Sequence, residues 1–191
     1  AGLQALLLMA LDAGNTLLNL LGEHSLAQTC KLKCQQMRQY PLYNLNNNLN
    51  KQAASLMGLA GLIKPDEVNI IISNNGTKGF STFYGYYMLQ AQAQANNYSG
   101  ALDMIRSYWG GMLQMGATTF WEDFDVEWME NAGRIDEITP QGKKDIHADF
   151  GRFCYTGLRH SLCHGWASGP TAWLTEHVLG VKVLEPGCRV L

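Results

Sequence analysis

Apolar residues recur at helical spacing along most of this chain, and that periodicity excludes a β-rich fold. Leu3, Leu6, Leu7, Ala10, Leu17, Leu20 and Leu21 mark one helical face, and Gly22 closes the segment. A second helix is expected over residues 25–39, with Ser25 as N-cap and Pro41 beyond its end. The asparagine-rich stretch 41–50 reads as a loop, and a third helix follows over 51–63. Pro65, Asp66 and Glu67 open a fourth, although the branched run at 69–72 also suits a strand. Phe83, Tyr86, Tyr87, Leu89, Gln90 and Ala93 form the stripe of a fifth helix. Ala101, Leu102, Ile105, Trp109, Met112 and Leu113 form that of a sixth, across a turn at Asn96-Asn97. Residues 139–144 are a polar loop and 146–162 fit no single pattern. Gly169-Pro170 starts a last helix that stops at Gly180. The tail 181–191 alternates around Pro186-Gly187, as a short strand or an extended finish does. The expected fold class is all-α, built of antiparallel helical hairpins in a single domain over residues 1–191.

A chain of 191 residues with 47% apolar and 16% charged residues has the material for one core. The net charge of −2 gives no electrostatic reason to expect nucleic acid or an anionic membrane as partner. The apolar run 3–21 carries Gln4, Asp12, Asn15 and Asn19 and no preceding basic residue, so a core helix is expected rather than a signal or membrane segment. The start at Ala1-Gly-Leu, already inside a helical pattern, points to a processed or excised piece of something longer. Five cysteines are an odd number and argue against a disulfide framework. Cys30 and Cys34, together with Leu26 and Met37, read as one buried helical face rather than as metal ligands.

The acid-dense stretch is the strongest chemical signal. Seven of the 16 carboxylates fall between Glu122 and Glu137, with Arg134 alone among them as a cation. Such self-repulsion accompanies a solvated loop, a cation site or acid/base chemistry. Phe120, Trp121, Phe124 and Trp128 are threaded through it, which a merely solvated loop does not require. Rings alternating with carboxylates suit a sugar, whose apolar faces pack on rings while its hydroxyls bond carboxylates. A calcium site from Glu122, Asp123, Asp125 and Glu127 is conceivable, but the spacing lacks the glycine of a calcium loop. Cys163 beside His164 suggests a nucleophile pair, although adjacent residues rarely hold that geometry. Asp123 and Asp125 are expected as caps or surface groups, and His147, His160 and His177 as structural.

Two motifs carry a resemblance. Tyr108-Trp-Gly-Gly-Met-Leu-Gln-Met-Gly-Ala-Thr-Thr-Phe-Trp-Glu122 and Ser161-Leu-Cys-His-Gly-Trp-Ala-Ser-Gly-Pro170 resemble the C-terminal part of bacterial α-L-rhamnosidases, over about residues 80–185. These are inverting glycoside hydrolases with an (α/α)6 toroid of six helical hairpins, of which this chain would form about half. The resemblance implies Glu122 as the general base that activates water, and His164 as a contact to a sugar hydroxyl. Trp121 and Trp166 flank these two and are expected to line the pocket. An insertion around residues 131–144 lengthens the separation of Glu122 and His164 relative to the plainest family members.

The aspartate- and arginine-rich motif that supplies the family's general acid is not found in this sequence. The resemblance therefore implies the base half of the machinery, inactive alone, with a rhamnose-containing glycan as partner, no cofactor and no metal. Half a toroid implies exposed apolar surface and self-association. Enzymes of this kind are usually periplasmic or secreted. A non-catalytic carbohydrate-binding relative and a helical scaffold are the alternatives.

Overall fold

A computed structural model describes residues 2–40, 49–150 and 160–190. Among the described residues eight α-helices follow in order: α1 Gly2–Leu20, α2 His24–Arg38, α3 Lys51–Leu59, α4 Pro65–Ser73, α5 Thr82–Gln94, α6 Tyr98–Gln114, α7 Ile146–Asp149 and α8 Gly169–His177. Among the described residues there is no strand, only an isolated bridge between Ala132 and Lys144, so the fold is all-α. Most of the loop expected at 41–50, Cys154, and most of the ambiguous segment 146–162 lie outside the described residues.

Local signals explain most helix starts. The Asn50 side chain accepts from Ala53 N (2.8 Å) at the head of α3, and Asn97 accepts from Gly100 N (3.0 Å) at the head of α6. Pro65 with two acids in the first turn makes α4 a helix despite its branched residues. Ser25 is not a cap: α2 already begins at His24, behind Glu23, with no side-chain cap bond. The tail is not a strand either. Gly187 at φ 76° turns it back inside a short 3₁₀ turn, Pro186–Cys188, and Leu184 N bonds Val190 O (3.0 Å). The described residues offer it no strand to pair with.

α5 is the pivot, packing against α3, α4, α6 and α8. Its buried face is Thr82, Gly85, Met88, Leu89, Ala91, Gln92 and Ala93, so Leu89 and Ala93 of the expected stripe are buried while its rings, Phe83, Tyr86 and Tyr87, are not. Gly85 supplies the reason. A Cβ there would lie 2.6 Å from Trp109 Cη2 and 2.9 Å from Phe80 Cε1, so the absent side chain makes room for both rings. Phe83 is exposed and Tyr84, Tyr86 and Tyr87 are half-buried, with Tyr84 and Tyr87 packed against the buried residues of α1–α3 and the Tyr86 hydroxyl accepting from Gln90 Nε2 (3.2 Å). Trp109, Met112 and Ala101 are buried on α6 as their spacing predicts, whereas Leu113 is exposed.

The larger core gathers Met88, Leu89, Tyr108, Trp109, Met112, Trp121, Phe124 and Trp173. A smaller one joins α1, α2 and α3 through Ala5, Leu8, Cys34, Leu56, Met57 and Ala60. α1 is not the core helix its composition suggests. It lies on α2 and α3 with Ala5 and Leu8 buried, and leaves Leu3, Leu7, Leu17, Leu20 and Leu21 exposed. By length and composition it is also apolar enough to cross a membrane. Cys34 is buried and donates to Asp12 Oδ1 (3.1 Å), while Leu26, expected on the same inner face, is exposed.

α8 closes on α5 at a glycine. A Cβ on Gly169 would meet Tyr86 Cβ at 2.8 Å and Tyr86 Cα at 3.1 Å, one of them backbone that cannot swing away. Gly169→Ala is expected to destabilise by about 1–3 kcal/mol in urea unfolding. Gly165→Ala, where an added Cβ meets nothing within 4 Å, is the control and should stay within about 0.5 kcal/mol. Equal stability of the two variants would contradict the close approach of α8 to α5.

Candidate active site

Gly116, at φ 86°, ends α6 by turning the chain out of the helix. The chain then runs antiparallel to the segment around 160–164. Glu122 N donates to Ser161 O (2.8 Å), and His164 N donates to Phe120 O (2.7 Å). The Thr119 hydroxyl bonds Leu162 O, and the Thr82 hydroxyl at the head of α5 bonds Glu122 O. Tyr108, buried in α6, donates its hydroxyl to Phe124 O (2.5 Å), and burial pushes its pKa well up. Asp125 then caps the short 3₁₀ turn Val126–Glu130 by accepting from Glu127 N (3.0 Å), the capping role its position predicts.

Beneath this stretch lies His160, 0% exposed. Its Nδ1 is 3.1 Å from Ile146 O and therefore donates. Its Nε2 sits 3.1 Å from Asp123 N and 2.7 Å from Asp123 O. A neutral ring with the proton on Nδ1 accepts from the amide, whereas a protonated ring donates to the carbonyl. Either form pins the backbone of Asp123. His160 is thus structural, as expected, but it is structural at the candidate site.

Glu122 and Asp123 open into a groove of about 860 Å³ between the N-terminal ends of α1, α3 and α5. Ser161 N donates to Glu122 Oε2 (3.0 Å), which orients that carboxylate. Phe83 (37% exposed) and Trp166 (50% exposed) form an aromatic shelf on one side, ring centroids 5.4 Å apart, with Tyr84 beside it. Ser81, which precedes α5 in the N-cap position, caps nothing with its side chain, and its buried Oγ has no hydrogen-bond partner among the described residues.

Of the four residues singled out in the sequence, Glu122 and Trp166 share this groove. Trp121 does not line it: the ring is 0% exposed and packs in the core against Phe124, opposite in direction to its neighbour Glu122, which faces the groove. His164 lies across a wall. Its ring packs against Trp166, tilted by 46° with centroids 4.4 Å apart, but it lines a separate, largely apolar cavity of about 400 Å³ with Trp109, Phe120 and Cys163. Phe83, Tyr84, Ser81 and Asp123 reach the groove without having been read as site residues. The rings of α5 looked like core because their spacing is that of core. Asp123, expected as a cap or surface group, is half-buried instead. Among the described residues no group of three or more histidines, cysteines and carboxylates is placed to hold a metal ion. Asp125 is committed to its cap and Glu127 pairs with Lys78 (3.5 Å).

Burial raises the pKa of Asp123, opposed by the bond its carboxylate accepts from Phe124 N and by the nearby His160. The folded chain therefore holds this proton more tightly than the unfolded chain. Its contribution to stability is favourable at low pH and is lost as pH rises from the ordinary aspartate range through the raised pKa. Asp123→Asn keeps the acceptor for Phe124 N and removes the charge. The variant is expected to exceed the parent in urea midpoint at pH 7 and to lose that advantage near pH 3. Parallel pH curves would contradict the desolvation of this carboxyl.

Compared with protein-family models, with curated proteins and with solved structures, the chain finds no match in any of the three.

Proposed function

We propose that the groove is a sugar site with Glu122 as its general base, in a glycoside hydrolase resembling the α-L-rhamnosidases that cleaves terminal α-L-rhamnosyl linkages with inversion. One observation carries this reading: a glutamate whose Oε2 is fixed at 3.0 Å by a backbone amide opens into the same groove as an exposed tryptophan and phenylalanine. A ring face supports the apolar side of a pyranose while the carboxylate takes the proton of the attacking water. On this reading the helices pair as antiparallel hairpins, about half of an (α/α)6 toroid. The general acid comes from the other half, because inversion needs a second carboxyl roughly 6.5–9.5 Å from the base. His164 then acts from behind Trp166, fixing the ring that carries the sugar. The exposed leucines of α1 and α2 are the surface through which the isolated chain self-associates.

The test is hydrolysis of an aryl α-L-rhamnoside by the full-length polypeptide, with the anomer of the released sugar followed by NMR. Initial release of the β anomer supports the reading. Binding of rhamnose without hydrolysis would make the protein a carbohydrate-binding relative, and neither binding nor hydrolysis would leave a helical scaffold.

A further inference from the structure

Lys51 opens α3 and is only 8% exposed, and a lysine is almost never buried unless its charge is paired. Its ammonium donates to Gly76 O beyond the end of α4, which occupies one of its three protons. No carboxylate among the described residues pairs with it, and burial pulls its pKa down. An ammonium held out of water without a counter-charge is costly, and a bound anion is what relieves it. The side chain lines a cavity of about 760 Å³ between the head of α3 and the end of α4, and no aspartate or glutamate lies among the described residues that wall it. Lys78 stands on the same wall. Its ion pair with Glu127 (3.5 Å) is well exposed on both side chains and therefore weak. Asn50 and Gln52 line both this cavity and the groove of Glu122, so the two adjoin at the head of α3.

From this juxtaposition we propose that the cavity holds the anionic group of an acidic glycan, a carboxylate or a sulfate set against Lys51 and Lys78, while the rhamnosyl end of the same glycan lies in the adjoining groove. The proposal rests on the sugar-site reading and narrows it to rhamnose attached to an acidic chain. A neutral glycan of the same shape leaves the Lys51 ammonium uncompensated, whereas an acidic one supplies both the counter-charge and acceptors for its two remaining protons.

The experiment is a calorimetric titration of the protein at low salt with four probes. Methyl glucuronide carries a carboxylate, glucose 6-sulfate carries a sulfate, and methyl glucoside is the neutral match. Methyl α-L-rhamnoside reports on the sugar site itself. The better of the two anionic probes is expected to bind roughly tenfold tighter than the glucoside, with the preference shrinking as salt rises, and its identity names the substituent. Lys51→Met should abolish the preference, and Lys78→Gln, at a side chain 71% exposed, should reduce it. Neither change should alter rhamnoside binding. Were Lys51→Met to unfold, Lys78→Gln alone decides, and an undiminished preference in that variant overturns the inference. Rhamnoside binding with no preference for either anion also overturns it, reduces Lys51 to a holder of Gly76 O, and leaves the sugar site standing. Anion binding without rhamnoside binding overturns the sugar site and with it the acidic glycan. No binding of any probe overturns both.

Discussion

Glu122→Gln is expected to lower aryl α-L-rhamnoside hydrolysis by the full-length polypeptide about 10²–10⁴-fold, with KM changed far less than kcat. The amide keeps an oxygen for the Ser161 N–H bond that now holds Oε2 at 3.0 Å, so the groove retains its shape. What it loses is the capacity to take a proton from water. That range corresponds to about 3–5 kcal/mol of transition-state stabilisation. Circular dichroism and urea midpoints close to those of the parent would tie the loss to chemistry. A variant that hydrolyses as fast as the parent would remove Glu122 from the base role. A variant that fails to fold would make the Ser161 contact structural, and Trp166→Ala would then separate the cases, since its ring is exposed and its loss acts on binding.

The largest expected stability effect lies at Trp173. This ring is 0% exposed in α8 and donates Nε1–H to Leu89 O (3.0 Å) in α5, fastening one helix to the other. Trp173→Ala is expected to cost about 3–5 kcal/mol, a large share of the roughly 5–15 kcal/mol that holds an ordinary domain folded. The comparison with Trp121 is sharper. Trp121 is equally buried, yet its Nε1 has no hydrogen-bond partner among the described residues. Trp173→Phe loses a hydrogen bond as well as contact area, whereas Trp121→Phe removes an unsatisfied donor together with its area. The first should therefore destabilise more than the second, by about 1 kcal/mol in urea unfolding. Equal costs, or the reverse order, would contradict the hydrogen-bond assignment.

Much of the helix layout was legible because its causes are local. Pro65 with its acids, Asn97 ahead of α6, Gly116 behind it and Gly169-Pro170 at α8 each act within a turn of themselves, so they mark boundaries in any tertiary setting. The faces of the helices were less legible. On α5 the ring-bearing stripe and the Thr82–Gly85–Met88–Gln92 stripe both have helical spacing, and hydrophobicity favours the rings. The outcome turned on Gly85, because room for Trp109 and Phe80 exists only on its side. The same kind of choice sent Trp121 inward and Glu122 outward, since neighbours in an extended chain point opposite ways. His160, 37 residues along the chain from Asp123, had no local signal at all.

By itself, then, the sequence determined the helical class, most element boundaries, and the acid-and-aromatic stretch that holds Glu122, all of them matters of short-range propensity, capping and charge density. Only the tertiary structure decided which rings are core and which are shelf, that Trp166 shares a groove with Glu122 while His164 does not, and that Asp123 is half-buried. Those outcomes depend on how closely two helices approach and on what lies across the gap, and neither is encoded within a turn of the residue concerned.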